Sequence, residues 1–152
     1  MKIINEMTLM RVHGFIEKTY VTAEGYYGVV LFNKGYRSGF VALPANYHKF
    51  VEPTAGWLRG MELDYSGTKS NLYKTLELKE HLWFLGFNCH GANDGIDVEM
   101  LHKLGVPGFK TKTNGGNVKT LEFVIEKINN LSAQLTPQAI MEHKMRTINN
   151  QN

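Results

Sequence analysis

Tyr26-Tyr27-Gly28-Val29-Val30-Leu31-Phe32, Asn33-Lys34-Gly35, Tyr36-Arg37-Ser38-Gly39-Phe40-Val41-Ala42-Leu43: two runs rich in β-branched and aromatic residues flank a short polar turn. Such residues fit a pleated, half-buried surface. Gly35 can take a positive φ without steric cost, and asparagine tolerates turn geometry. The stretch predicts an antiparallel hairpin with strands over 26–32 and 36–43. Pro44 ends the second strand, because proline has no N–H for a ladder.

Upstream, 11–21 alternates in part and reads as a strand, with Gly14 as a bulge. Downstream, 45–54 reads as a loop or a short helix. Met61-Glu62-Leu63-Asp64-Tyr65 alternates as a half-buried strand does, and Ser66-Gly67 closes it. Trp83 to Phe87 is a dense aromatic run; it reads as a strand buried on both faces or as a turn of buried helix. Asn88 to Gly95 is a loop, Asp97 to Leu104 a short helix stopped by Gly105 and Pro107, and Gly108 to Asn117 a polar loop. From Val118 to Leu135 the period becomes helical. Leu121, Val124, Ile125, Ile128, Leu131 and Leu135 share one face, with Asn117 as the expected N-cap. Thr136-Pro137 opens a second helix to about Ile148, followed by a frayed tail. The expected fold is α+β: an antiparallel sheet with a long helix from the C-terminal half packed on one face. One domain covers 1–135, and 136–152 is a helical extension and tail.

The 152 residues are 43% hydrophobic and 20% charged, a mixture that supports a packed core. No apolar run approaches the ~20 residues that cross a bilayer, so no membrane partner is expected. The first ten residues carry Asn5 and Glu6 and lack the apolar centre of a signal peptide. The single cysteine, Cys89, cannot form an internal disulfide, which fits a reducing compartment and a cytoplasmic protein. A net charge of +3 is mild, and the basic residues are dispersed apart from Lys110, Lys112 and Lys119. That distribution points away from nucleic acid, which selects a clustered basic stripe, and leaves a small anionic ligand compatible.

Three segments resemble a family of small uncharacterised proteins encoded by bacteriophages, prophages and plasmids. Gly35-Tyr36-Arg37-Ser38-Gly39-Phe40-Val41-Ala42-Leu43-Pro44, with His48 beyond it, is similar to G-Y-R-C-G-Y-V-x-V-P followed by a histidine. Leu63-Asp64-Tyr65-Ser66-Gly67 resembles the end of V-H-G-G-L-T-Y-S-G, and Trp83 to Asp94 resembles W-W-F-G-F-D-C-A-H-A-G-D. The helix over 121–135 resembles the family's closing helix. The resemblance implies a mobile-element origin and assigns no activity. It also departs from the pattern: Gly60 stands where the family has histidine, Asn88 replaces its aspartate before cysteine, and His90 comes one position early.

Several residues carry candidate chemistry. Cys89-His90 could form a thiolate nucleophile, against the plainer reading of a buried structural cysteine. His48, His90 and Asp94 could converge in space as a metal site, although no histidine pair has zinc spacing and no C-x-x-C occurs; the plainer reading is loop histidines that hydrogen-bond locally. No phosphate-binding G-x-x-x-x-G-K-[ST] loop is present. Lys110, Lys112, Asn114, Gly115, Gly116 and Asn117 precede the long helix, where backbone amides and the helix dipole favour an anion; the alternative is a solvated loop. Arg37 offers a planar fork for phosphate, with Tyr27 or Tyr36 able to stack on a base, or else forms a cross-strand ion pair. The expected ligand-binding set is Tyr36, Arg37, His48, His90, Asp94, Lys110 and Lys112. No metal or cofactor is expected and no catalytic set is identified.

These readings lead to a phage-type accessory protein of the host cytoplasm that binds and sequesters a small anionic ligand, a nucleotide signal of host defence. One alternative is a hydrolase cleaving such a nucleotide with His48, His90 and Asp94; another is an inhibitor that binds a host protein directly. A homo-oligomer is expected through the apolar stripe Ile140, Met141, Met145 and Ile148.

Overall fold

A computed structural model describes residues 15–44, 58, 63–67, 82–89, 91, 93–104 and 116–150. Five strands, β1 (Phe15–Val21), β2 (Tyr27–Asn33), β3 (Tyr36–Pro44), β4 (Tyr65–Gly67) and β5 (Leu82–Asn88), form an antiparallel sheet in the order β1-β2-β3-β5-β4. A two-residue parallel ladder joins β6 (Asp94–Gly95) to β7 (Asn117–Val118). The helices are α1 (Val98–Leu104), α2 (Leu121–Gln134) and α3 (Pro137–Asn150). This is the expected α+β fold, with the long helix α2 packed on β2 and β3.

The hairpin forms as predicted, with Asn33 opposite Tyr36. Lys34 and Gly35 have φ of 55° and 93°, the paired positive values of a two-residue turn whose twist matches the strands. Side-chain alternation then gives the sheet two apolar faces. Val30, Val41, Leu43, Leu85 and Phe87 meet Val124, Ile128, Leu131 and Leu135 on the α2 side. Val29, Leu31, Phe40, Ala42, Leu82 and Phe84 are buried on the other. The aromatic run is therefore strand rather than helix, paired on both edges and buried on both faces.

Four boundaries differ from expectation. The described bulge in β1 falls between Ile16 and Lys18, leaving Glu17 unpaired in the register; Gly14 lies outside the described residues. The strand expected over 61–65 is irregular at Leu63 and Asp64 and begins at Tyr65, and Ser66 and Gly67 do not close it. They belong to β4 because they pair with Leu85 and Phe84. Asp94 and Gly95, expected in a loop, form β6 by pairing with Asn117 and Val118. Thr120, not Asn117, caps α2: its Oγ1 accepts the Phe123 N–H at 3.1 Å, while Asn117 is committed to the ladder with Asp94. The predicted segment 45–54 and the loop over 105–115 lie outside the described residues.

The far end of α2 is tied to the β1–β2 turn. Thr22 Oγ1 accepts from Tyr26 N at 3.1 Å and from Ser132 Oγ at 2.7 Å. Tyr26 Oη donates to the Leu135 carbonyl at 2.5 Å, satisfying a backbone acceptor that a helix end leaves open. Removing that hydroxyl strands a buried carbonyl. Tyr26→Phe is expected to lower stability by about 1–3 kcal/mol in urea unfolding. A loss under a few tenths would mean that the carbonyl finds another donor.

Candidate functional site

Arg37 is the centre of the best-defined polar site. It stands on β3 opposite Phe32, with its guanidinium carbon 5.1 Å from that ring's centroid. The Glu17 carboxylate reaches it bidentately, at 2.6 Å from Nε and 2.9 Å from Nη2. The bulge accounts for this reach. An unpaired residue in a bulged strand is re-aimed off the regular alternation, and Glu17 is that residue. From the other side Asp97 Oδ2 accepts from Nη1 at 2.8 Å, and the Lys119 carbonyl accepts from the same nitrogen at 3.0 Å.

Arg37 thereby joins β1, β3, the start of α1 and the segment leading into α2. Asp97 also caps α1, its Oδ1 accepting from Met100 N at 3.0 Å. The arginine is only 5% exposed and Glu17 7%. Burial favours loss of the arginine's charge, but the Glu17 and Asp97 carboxylates outweigh it and raise its pKa. Burial also raises the Asp97 carboxyl; the Met100 amide and Arg37 overcome that and hold it below its usual range.

Of the two readings of Arg37, this geometry shows an ion pair, made with Glu17 and Asp97. Guanidinium has five N–H donors, and four intramolecular bonds already use its three nitrogens. Its fork faces Glu17 rather than solvent. Tyr36 is half-buried at the start of β3, beside the turn.

Asp94 is the next group outward. Its Oδ2 accepts from Gly91 N at 2.8 Å, and its Oδ1 lies 3.4 Å from Lys119 Nζ. Lys119 therefore links the two expected site residues: its carbonyl meets Arg37 and its ammonium meets Asp94. The ammonium is also 5.4 Å from the centroid of the Phe123 ring in the first turn of α2. Of the seven residues expected to bind a ligand, Arg37 and Asp94 both contact Lys119; His48, His90, Lys110 and Lys112 lie outside the described residues.

Cys89 directly follows β5, where its N–H donates to the Arg37 carbonyl at 2.8 Å. Its side chain is buried. Burial pushes the thiol pKa up, only partly opposed by Lys127, so the protonated form is favoured. That is the environment of a structural cysteine, since nucleophilic cysteines need a stabilised thiolate. Among the described residues, no three His, Cys, Asp or Glu side chains are grouped to hold a metal.

A groove of about 420 Å³ lies between the β1–β2 turn and α2, lined by Tyr20, Val21, Thr22, Ala23, Glu24 and Asn129. Tyr20 donates to Asn129 Oδ1 at 2.7 Å, and burial pushes its phenol up to about 12. The charged side chain lining this groove is Glu24, so the anion-compatible surface is the Lys119 end instead.

Sequence reasoning missed Glu17 and Asp97 as Arg37's partners. Asp97 carries a readable signal, an acidic residue directly before a short helix. Glu17 carries none, because its role depends on a bulge. In comparisons with known proteins, no family model, no curated protein and no solved structure matches the chain.

Proposed function

We propose that the protein is a phage-type accessory protein that binds a small anionic ligand, a nucleotide signal of host defence, and withholds it from the host. The observation that carries this reading is Lys119, one residue before the Thr120 cap of α2. Its carbonyl is anchored by Arg37, so its ammonium is presented beside the amino end of a 14-residue helix. The first N–H groups of a helix have no intrahelical acceptor and favour negative charge. Asp94 holds the ammonium until an anion replaces it. Lys110 and Lys112 precede this position by nine and seven residues and add positive charge to the sequence leading into it. The resemblance to mobile-element proteins supplies the biological setting by analogy.

Calorimetric titration with cyclic dinucleotides and cyclic ADP-ribose tests the proposal. The expected result is a saturable complex that Lys119→Ala weakens at least tenfold. Glu122→Gln, which removes a carboxylate from the first helical turn, should tighten it. Intact ligand recovered after denaturation fits sequestration, whereas converted ligand would establish the hydrolase instead. Absence of binding at millimolar ligand, or affinity indifferent to Lys119→Ala, overturns the site.

A further inference from the structure

We propose that α3 pairs antiparallel with α3 of a second copy of the chain, through Met141 and Met145 and two reciprocal Glu142–Arg146 ion pairs. The helix is anchored at one point. Ile140 is 5% exposed and belongs to the core with Leu131, Leu135 and Tyr26. That contact fixes the rotation of α3 about its axis. Successive residues turn by ~100°, so Met141 and Met145 share a stripe ~100–140° around from Ile140. They are 56% and 51% exposed.

The occupant follows from the flank of this stripe. Glu142 and Arg146 are both exposed on one side of it, one helical turn apart. Gln138 Nε2 approaches the Glu142 carboxylate at 3.3 Å, and among the described residues Arg146 makes no ion pair. A flank with opposite charges at i and i+4 is complementary to itself when a twofold axis reverses the second helix. Each glutamate then meets the partner's arginine, and the methionines interleave between the two rows. A lone acidic or basic partner would satisfy only one of the two charges. Methionine adapts to such contacts, and twofold dimers are the commonest closed assembly. Two turns of helix form a small interface, so the dimer is concentration-dependent.

Sedimentation equilibrium of the full chain from micromolar to millimolar concentration should rise from 17.3 kDa towards twice that mass. Met141→Lys with Met145→Lys should hold the monomer mass throughout; these side chains are exposed, so the thermal midpoint at low concentration should not move. Glu142→Arg alone and Arg146→Glu alone should each weaken the dimer at least tenfold by opposing like charges. The double reversal should restore it to within about threefold of the parent, as expected for direct charge complementarity. A monomer at every concentration overturns the proposal. So does a dimer that survives the lysine variants, or single reversals that the double variant fails to rescue.

Discussion

Replacing Arg37 by methionine is expected to cost about 3–5 kcal/mol of folding free energy, the range for removing one partner of a buried ion pair. Methionine preserves much of the arginine's length and its contact with Phe32, so lost packing contributes little. What remains is charge. Glu17 and Asp97, 7% and 18% exposed, would be left largely buried without their cation. For a domain of this size the thermal midpoint should fall by roughly 2–4 °C per kcal/mol. Adding Glu17→Leu to the methionine variant should recover a large part of the loss, because it removes the stranded carboxylate. A cost below about 1 kcal/mol, or no recovery in the double variant, would mean that the pair is weakly coupled to folding.

The same network sets an acid limit. Asp97 is held below its ordinary carboxyl value of 3.8 in the folded protein. A carboxyl whose folded pKa is depressed stabilises the fold above its unfolded value, and loses that contribution as pH falls through the folded one. Stability should therefore decline below about pH 4, and the decline should be shallower in Arg37→Met, where the guanidinium no longer depresses Asp97. An unchanged acid slope would assign the depression to the Met100 amide alone.

The parts of this fold that can be read in advance depend on neighbours in sequence. The β2–β3 hairpin is legible because Asn33-Lys34-Gly35 and its flanking runs are contiguous. The apolar face of α2 is legible because one helical period generates it. The Arg37 network is not legible in that way. Its carboxylates lie 20 residues upstream and 60 downstream, and the nearer one enters through a register shift in β1. Strand order must be known before either partner can be named. Thr120 and Asn117 illustrate the same limit on a smaller scale. Both have N-cap chemistry, and the choice is made by Asp94, more than twenty residues upstream, which draws Asn117 into a ladder. The candidate site is legible in part for the same reason. The distinctive motif leads to Arg37, but its chemistry there is to hold the chain that carries Lys119, and that is a property of the fold.

Gly35→Ala should be the most damaging of the small turn substitutions, at about 2–5 kcal/mol. Two costs combine. The backbone has φ of 93°, a region that disfavours an L side chain by ~1–2 kcal/mol. A Cβ there would also stand 2.4 Å from Ile96 Cγ2 and 3.3 Å from Ile96 Cβ. Ile96 cannot swing aside cheaply: a β-branched side chain has few χ1 wells, and overpacking typically costs ~1–3 kcal/mol. Gly25 provides the control, because its φ is 90° and a Cβ there meets nothing within 4 Å. Gly25→Ala should show the backbone cost alone, so the difference between the two variants measures the packing against Ile96. That packing also reaches the polar network. The Gly35 carbonyl accepts the Asp97 N–H at 2.9 Å, so displacing Ile96 shifts the residue that holds Arg37. Gly35→Ala and Arg37→Met should therefore be non-additive, with the pair costing less than the separate losses together, as coupled sites do. Additivity within about 0.5 kcal/mol would show that the turn and the arginine act independently. Equal losses at Gly25 and Gly35 would show that Ile96 accommodates the methyl group.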